Sequence, residues 1–128
     1  MNLKKIITLF FLLTYTVIGF AQKQATNNTK KDAVKYKVTF VELGSVRCIP
    51  CQKMQPVMKS IEEKYGEQVK VIFYDVWTPE GKPYGAQYNI EAIPTQVFLD
   101  ENGKEFFRHV GFFEEEELVK VLKTKGVK

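Results

Sequence analysis

The chain has 128 residues, a formal net charge of +4 at pH 7 and 45% hydrophobic residues. That length accommodates one domain, and that hydrophobic fraction excludes a disordered chain. The basic balance is no sign of a nucleic-acid partner: Lys4 and Lys5 belong to an N-terminal segment, and no basic stripe with interleaved aromatics follows.

Behind Lys4 and Lys5, residues 6–20 are almost wholly apolar, and Gly19-Phe20-Ala21 puts small residues at the −3 and −1 positions of a cleavage site. This is the layout of a secretory signal peptide over residues 1–21. The apolar run is shorter than the roughly 20 residues a spanning helix needs, which argues against an uncleaved membrane anchor. No cysteine lies near the cleavage site to carry a lipid. Removing residues 1–21 leaves 17 basic side chains against 15 acidic ones, a charge of +2. Residues 22–32, with Asn27-Asn28-Thr29-Lys30-Lys31, read as a polar linker, and residues 33–128 as the folded domain. The expected location is periplasmic or secreted.

Residues 36–43 are rich in aromatic and β-branched side chains and predict a strand. Residues 44–47 form a loop that delivers Cys48. Met54, Val57, Met58, Ile61 and Tyr65 recur at helical spacing, with Gly66 as the stop. Pro56 sits within that helix and predicts a kink. Residues 69–76 are apolar enough for a strand buried on both faces, which predicts a central parallel position. Pro83 suits the first turn of a short helix reaching about residue 89. Residues 95–99 and 105–110 flank Asp100-Glu101-Asn102-Gly103 as an antiparallel hairpin. A closing helix begins with acids from Glu114, carries Leu118, Val119, Val121 and Leu122, and ends among lysines, an order that complements its dipole.

Cys48 and Cys51 are the only cysteines. A bond between them closes a very small loop, and disulfide stabilisation grows with loop length, so the pair is a poor staple. It suits a redox couple, in which one thiolate attacks a substrate disulfide while its neighbour waits to release it. Structural zinc needs four ligands, and no second Cys/His pair exists. Haem attachment needs a histidine after the second cysteine, where Gln52 stands. Copper delivery would recruit Met54 or His109, but the spacing of Met54 and Met58 is that of a buried helix face. No metal or cofactor is expected.

Four landmarks then fall in order: Cys48-Ile49-Pro50-Cys51 opening the first helix, Pro56 five residues beyond it, Ile93-Pro94-Thr95 entering the third strand, and Gly111 after the last strand. With them the domain resembles the thioredoxin family over essentially its whole length. The resemblance implies an α/β thioredoxin fold, a four-stranded mixed β-sheet flanked by helices in the order β-α-β-α-β-β-α, and a monomeric thiol–disulfide oxidoreductase. Arg47 departs from the family's usual tryptophan, Ile49-Pro50 from its usual Gly-Pro, and Glu42 stands where many members bury an aspartate.

Cys48, at a helix start whose unpaired N–H groups and dipole favour a thiolate, is the expected nucleophile, and Cys51 the resolving thiol of a Cys48–Cys51 disulfide. Arg47 is either a cation that tunes the pKa of Cys48 or an ordinary exposed loop charge. The resemblance implies a cis peptide at Pro94, leaving the Ile93 backbone to pair with an extended substrate and crowding out metal ions. Thr95, Ile49 and Pro50 complete the expected substrate contacts. Glu42 takes the proton of Cys51 if burial raises its pKa, and is otherwise a solvated glutamate. Trp77, Tyr84 and Tyr88 border a substrate groove or pack the fold. His109 reads as surface or structural, and Phe106, Phe107, Phe112 and Phe113 as core.

Pro50 before Cys51 and Ile93 before Pro94 look like the reducing members of the family. The resulting expectation is a reductase of disulfide-containing exported proteins, fed by a membrane thiol electron donor. A non-catalytic thioredoxin-fold binding module and a metal (copper) carrier are the alternatives.

Overall fold

A computed structural model describes residues 35–128. The expected signal peptide (1–21) and linker (22–32) lie outside the described residues. No described helix is long and apolar enough to cross a membrane.

The elements are β1 (Val38–Gly44), α1 (Ile49–Tyr65), β2 (Val69–Asp75), α2 (Lys82–Gln87), β3 (Thr95–Asp100), β4 (Glu105–Val110) and α3 (Glu115–Lys123). They build one sheet in the order β2-β1-β3-β4. β1 and β2 run parallel, which requires a crossover, and α1 supplies it. β3 lies antiparallel to β1, and β4 antiparallel to β3. This is the expected four-stranded mixed sheet with flanking helices.

Alternation along β1 divides the core in two. Val38 and Phe40 face α1 and α3, where Met54, Val57, Met58, Ile61, Leu118 and Leu122 join them. Val41 and Leu43 face the other way, with Val97, against Tyr74, Tyr84, Tyr88 and Ile90. α1 contributes four apolar side chains at a spacing of three and four, which is why one stripe is buried while its lysines and glutamates stay wet. Pro56 lies inside α1, and the helix continues through it. Ser60 Oγ and Lys64 Nζ both reach Glu115 Oε1 at 2.7 Å and join α1 to the start of α3. In the β3–β4 turn, Asp100 Oδ1 accepts from the N–H groups of Asn102 and Lys104. Gly103 occupies φ +77°, a conformation in which most side chains would be strained.

Two sequence expectations change. β2 is an edge strand paired with β1 alone, and most of it is half-buried. Its apolar run reflects cover on the two faces of the sheet, which says nothing about lateral position. Phe112, expected in the core, is 37% exposed in the turn before α3, whereas Phe113 is buried.

Phe98 is the hub of the α1-side core. Its ring stacks on Phe40 at 5.0 Å and meets Phe106, Phe107 and Phe113 at 5.8–6.3 Å. Phe98→Ala is expected to cost about 3–5 kcal/mol, read as a lower urea midpoint at unchanged m value. Phe112→Ala should stay within about 0.5 kcal/mol of the parent.

Candidate active site at the start of helix α1

The loop after β1 is pinned on both sides. Gly44 C=O accepts from Val76 N–H at 2.9 Å, and Val46 N–H donates to Asp75 Oδ2 at 3.1 Å. Ser45 C=O accepts from Cys48 N–H at 3.1 Å, and Gln52 Nε2 reaches back to Val46 C=O at 2.8 Å. Desolvation pushes the Asp75 carboxyl up, but the Val46 and Trp77 N–H groups, the Ser45 side chain and the Arg47 charge together hold it below its ordinary value. An ionised Asp75 thus anchors the loop from β2.

Cys48 is the N-cap of α1, with extended backbone (φ −91°, ψ 120°), and its Sγ accepts from Cys51 N–H at 3.3 Å. Pro50 falls in the first helical turn, where a missing N–H leaves no helical bond broken. The order Cys-Ile-Pro-Cys is therefore a helix start in which sulfur replaces the usual capping oxygen. Cys48 and Cys51 are joined as a disulfide with Cα atoms 5.2 Å apart. Cys48 keeps 8% of its surface exposed and Cys51 none. Only the first cysteine keeps any exposed surface.

Gly44 explains how the helix start sits so close to the sheet. A Cβ there would lie 3.2 Å from both Cβ and Sγ of Cys51, tighter than ordinary contact. One pleat back on the same face of β1 is Glu42, fully buried. Its strand neighbours are Phe73 on β2 and Gln96 on β3. Desolvation pushes the Glu42 carboxyl up to about 8, against a smaller lowering by its hydrogen bond from Gln96. The solvated alternative for Glu42 is excluded by this burial.

The register pair Leu43↔Thr95 brings the turn before β3 to the same end of the sheet. The Ile93–Pro94 peptide is cis. Thr95 Oγ1 donates to Ala92 C=O at 2.7 Å, and Gly111 N–H to Pro94 C=O at 2.8 Å. Pro94 and Thr95 are buried, Ile93 is half-buried, and Ile49 and Pro50 are exposed. Arg47 is exposed and lays its guanidinium 5.7 Å from the ring centroid of Trp77, itself 52% exposed. With Val46 (58% exposed) and Ile49 (70%), these side chains put an apolar rim on the loop and helix start that carry Cys48. Tyr84 packs instead on Tyr74, their ring centroids 3.6 Å apart, and Tyr88 joins them at 6.4 Å from Tyr74. His109 stacks on Phe113 at 4.1 Å, and its Nε2 lies 3.1 Å from Phe112 C=O. Among the described residues no group of three or more His, Cys, Asp or Glu side chains is placed to hold a metal ion.

Sequence reasoning passed over Asp75, Val46 and Gln96. Asp75 acts on the loop after β1 and Gln96 on Glu42 across the β1–β3 pairing, partners that only the folded arrangement reveals.

A family model described as a thioredoxin-like domain matches residues 20–126. The chloroplastic thioredoxin Y of Oryza sativa is 30% identical over 88 residues, 69% of this chain and 51% of that one. The H-type 1 thioredoxin of Nicotiana tabacum is 36% identical over 87 residues, 68% of this chain and 66% of that one. The chain thus spans about half the length of the rice relative and two thirds of the tobacco one. A mutant thioredoxin from Halobacterium salinarum shares the fold with a TM-score of 0.63 at 23% identity, over 73% of this chain and 80% of that one. The fold, the capping cysteine pair and the matched span of sequence agree: the chain belongs to the thioredoxin-like family.

Proposed function

We propose that this protein is a thiol–disulfide oxidoreductase that works as a reductant of disulfides in exported proteins. The observation that carries this reading is the asymmetry of the pair. Cys48 sits at the helix start, its sulfur accepting from the Cys51 N–H in the first turn of α1, while Cys51 is fully buried. The first is placed to attack and the second to resolve.

In the reduced protein the Cys48 thiolate, favoured by the helix N-terminus, attacks one sulfur of a substrate disulfide. The substrate S–S bond breaks, one substrate sulfur leaves as a thiolate, and a mixed disulfide remains on Cys48. Cys51 then gives its proton to the Glu42 carboxylate and attacks the Cys48 sulfur. The Cys48–Cys51 bond forms as the second substrate thiolate departs. Two electrons have passed to the substrate, and an external dithiol donor must restore the pair.

The apolar rim of Val46, Ile49 and Trp77 suits an extended, partly unfolded polypeptide, with the Ile93 backbone as its pairing edge. Arg47, an exposed cation next to Cys48 in sequence, would favour the Cys48 thiolate and a nearby acidic group on the substrate, within the screening that exposure imposes. Export is supported by the signal-peptide layout of residues 1–21. A membrane thiol carrier would then be the donor, because a dithiol outside the cytosol has no glutathione pool to reduce it. Pro50 and Ile93 support the reducing direction through the family resemblance.

Cys48→Ser should abolish disulfide reduction in an insulin turbidity assay. Cys51→Ser should accumulate a covalent mixed disulfide, seen as a mass adduct that dithiothreitol removes. A Cys48→Ser variant that retains turnover overturns the reading.

Glu42 gives a second test. The native carboxyl holds its proton up to about pH 8, whereas an ordinary glutamate releases it near 4.5. Between those values the native state binds a proton that the unfolded chain has lost, so stability is full below about pH 4.5 and falls as pH rises. The slope is at most about 1.4 kcal/mol per pH unit, and it levels off above about pH 8. Glu42→Gln should remove that slope and gain stability over the parent at pH 8, as measured by urea unfolding across the range. The same variant should slow disulfide reduction by on the order of a hundredfold or more, through loss of the proton acceptor.

A further inference from the structure

Gln96 is fully buried on β3, directly opposite Glu42. An amide in such a place must find partners or cost stability, and a leucine would fit this face of the sheet without that demand. Its Nε2 donates to Gly111 C=O at 3.1 Å and, over a longer 3.4 Å, to Glu42 Oε1. Among the described residues this is the only hydrogen bond to the Glu42 carboxyl, and Glu42 Oε2 has no partner.

The anchor is specific. Gly111 adopts φ +96°, in the left-handed region that favours glycine. From there its N–H braces Pro94 C=O while its own C=O receives Gln96. Gln96 therefore joins the buried acid to the turn that carries Pro94.

No cation competes for the acid. Its neighbour on β2 is Phe73. The titratable groups nearest it on the same face of the sheet are Cys51 on α1, Asp75 opposite Gly44 on β2 and His109 opposite Gln96 on β4; the lysines and glutamates of α1 are exposed, and Lys70, Tyr74 and Arg108 lie on the other face. Asp75 is engaged by the Val46 and Trp77 N–H groups, and His109 by Phe112 C=O and the Phe113 ring.

We propose that Gln96 is a positioning residue for Glu42: anchored on Gly111, it holds Oε1, leaves Oε2 free to meet the Cys51 thiol, and favours the ionised carboxylate that accepts the proton. Its purpose rests on the oxidoreductase reading, but its hold on Glu42 can be measured without turnover.

The test is a carboxyl ¹³C NMR titration of Glu42 in the parent, Gln96→Leu and Gln96→Met proteins. The two apolar replacements differ in shape, so a misfit in one leaves the other. Loss of the donor should raise the Glu42 midpoint by about one pH unit, the lower end for a hydrogen bond to a charged group, as its length requires. The pH profile for resolution of a preformed Cys48 mixed disulfide should move up by the same amount. An unchanged or lower midpoint in a folded variant overturns the assignment. If the parent reduces no disulfide at all, the oxidoreductase reading fails, and the Glu42 midpoint still decides whether Gln96 holds the acid.

Discussion

The structure turns on one hydrogen bond, the Cys51 N–H directed at Cys48 Sγ across the first turn of α1. Sulfur is a weak acceptor as a thiol or disulfide and a strong one as a thiolate, so the helix start interacts best with the charged, reactive form of Cys48. Much of the surrounding sequence serves to keep that geometry. Pro50 occupies a position that needs no N–H. The ionised Asp75 and Gln52 brace the approaching loop from β2 and from α1. Gly44 lets Cys51 close against the sheet, where an added Cβ would crowd its Cβ and Sγ.

A glutamate buried one pleat back from Gly44 opposes stability. Nothing in the packing of β1 requires a carboxyl between Phe40 and Gly44, and burial holds it in the protonated form well above the ordinary range of glutamate. Local patterning is broken at this point without a structural gain, as expected of a position kept for chemistry. The same burial that weakens the fold at high pH brings the acid into the range where it can exchange protons near neutrality. Gln96 moderates this tension with a neutral donor rather than a cation, so the site stays short of a full ion pair.

The local elements were legible in the sequence because local signals set them. The period of Met54, Val57, Met58 and Ile61 marked α1, Asp100 to Gly103 marked the hairpin turn, and the acids before Leu118 marked the start of α3. The cysteine pair, Glu42 and the Ile93-Pro94-Thr95 segment were legible as candidates by spacing and resemblance. Lateral order was not legible: an apolar strand covered on both faces reads alike at the centre and at the edge, and β2 is at the edge. Gln96 was hidden because its meaning lies in a partner 54 residues away in sequence. Phe112 was misread since a run of aromatics carries no sign of which ring the turn before α3 directs outward.

The most direct measurement is the labelling of the reduced protein by iodoacetamide at neutral pH, with each cysteine quantified by peptide mass. The expected result is rapid modification of Cys48, faster than an unstructured cysteine peptide, with Cys51 left unmodified while the fold holds. Slow labelling of Cys48, or equal labelling of both sulfurs, would contradict a helix-capping thiolate in front of a sealed resolving thiol.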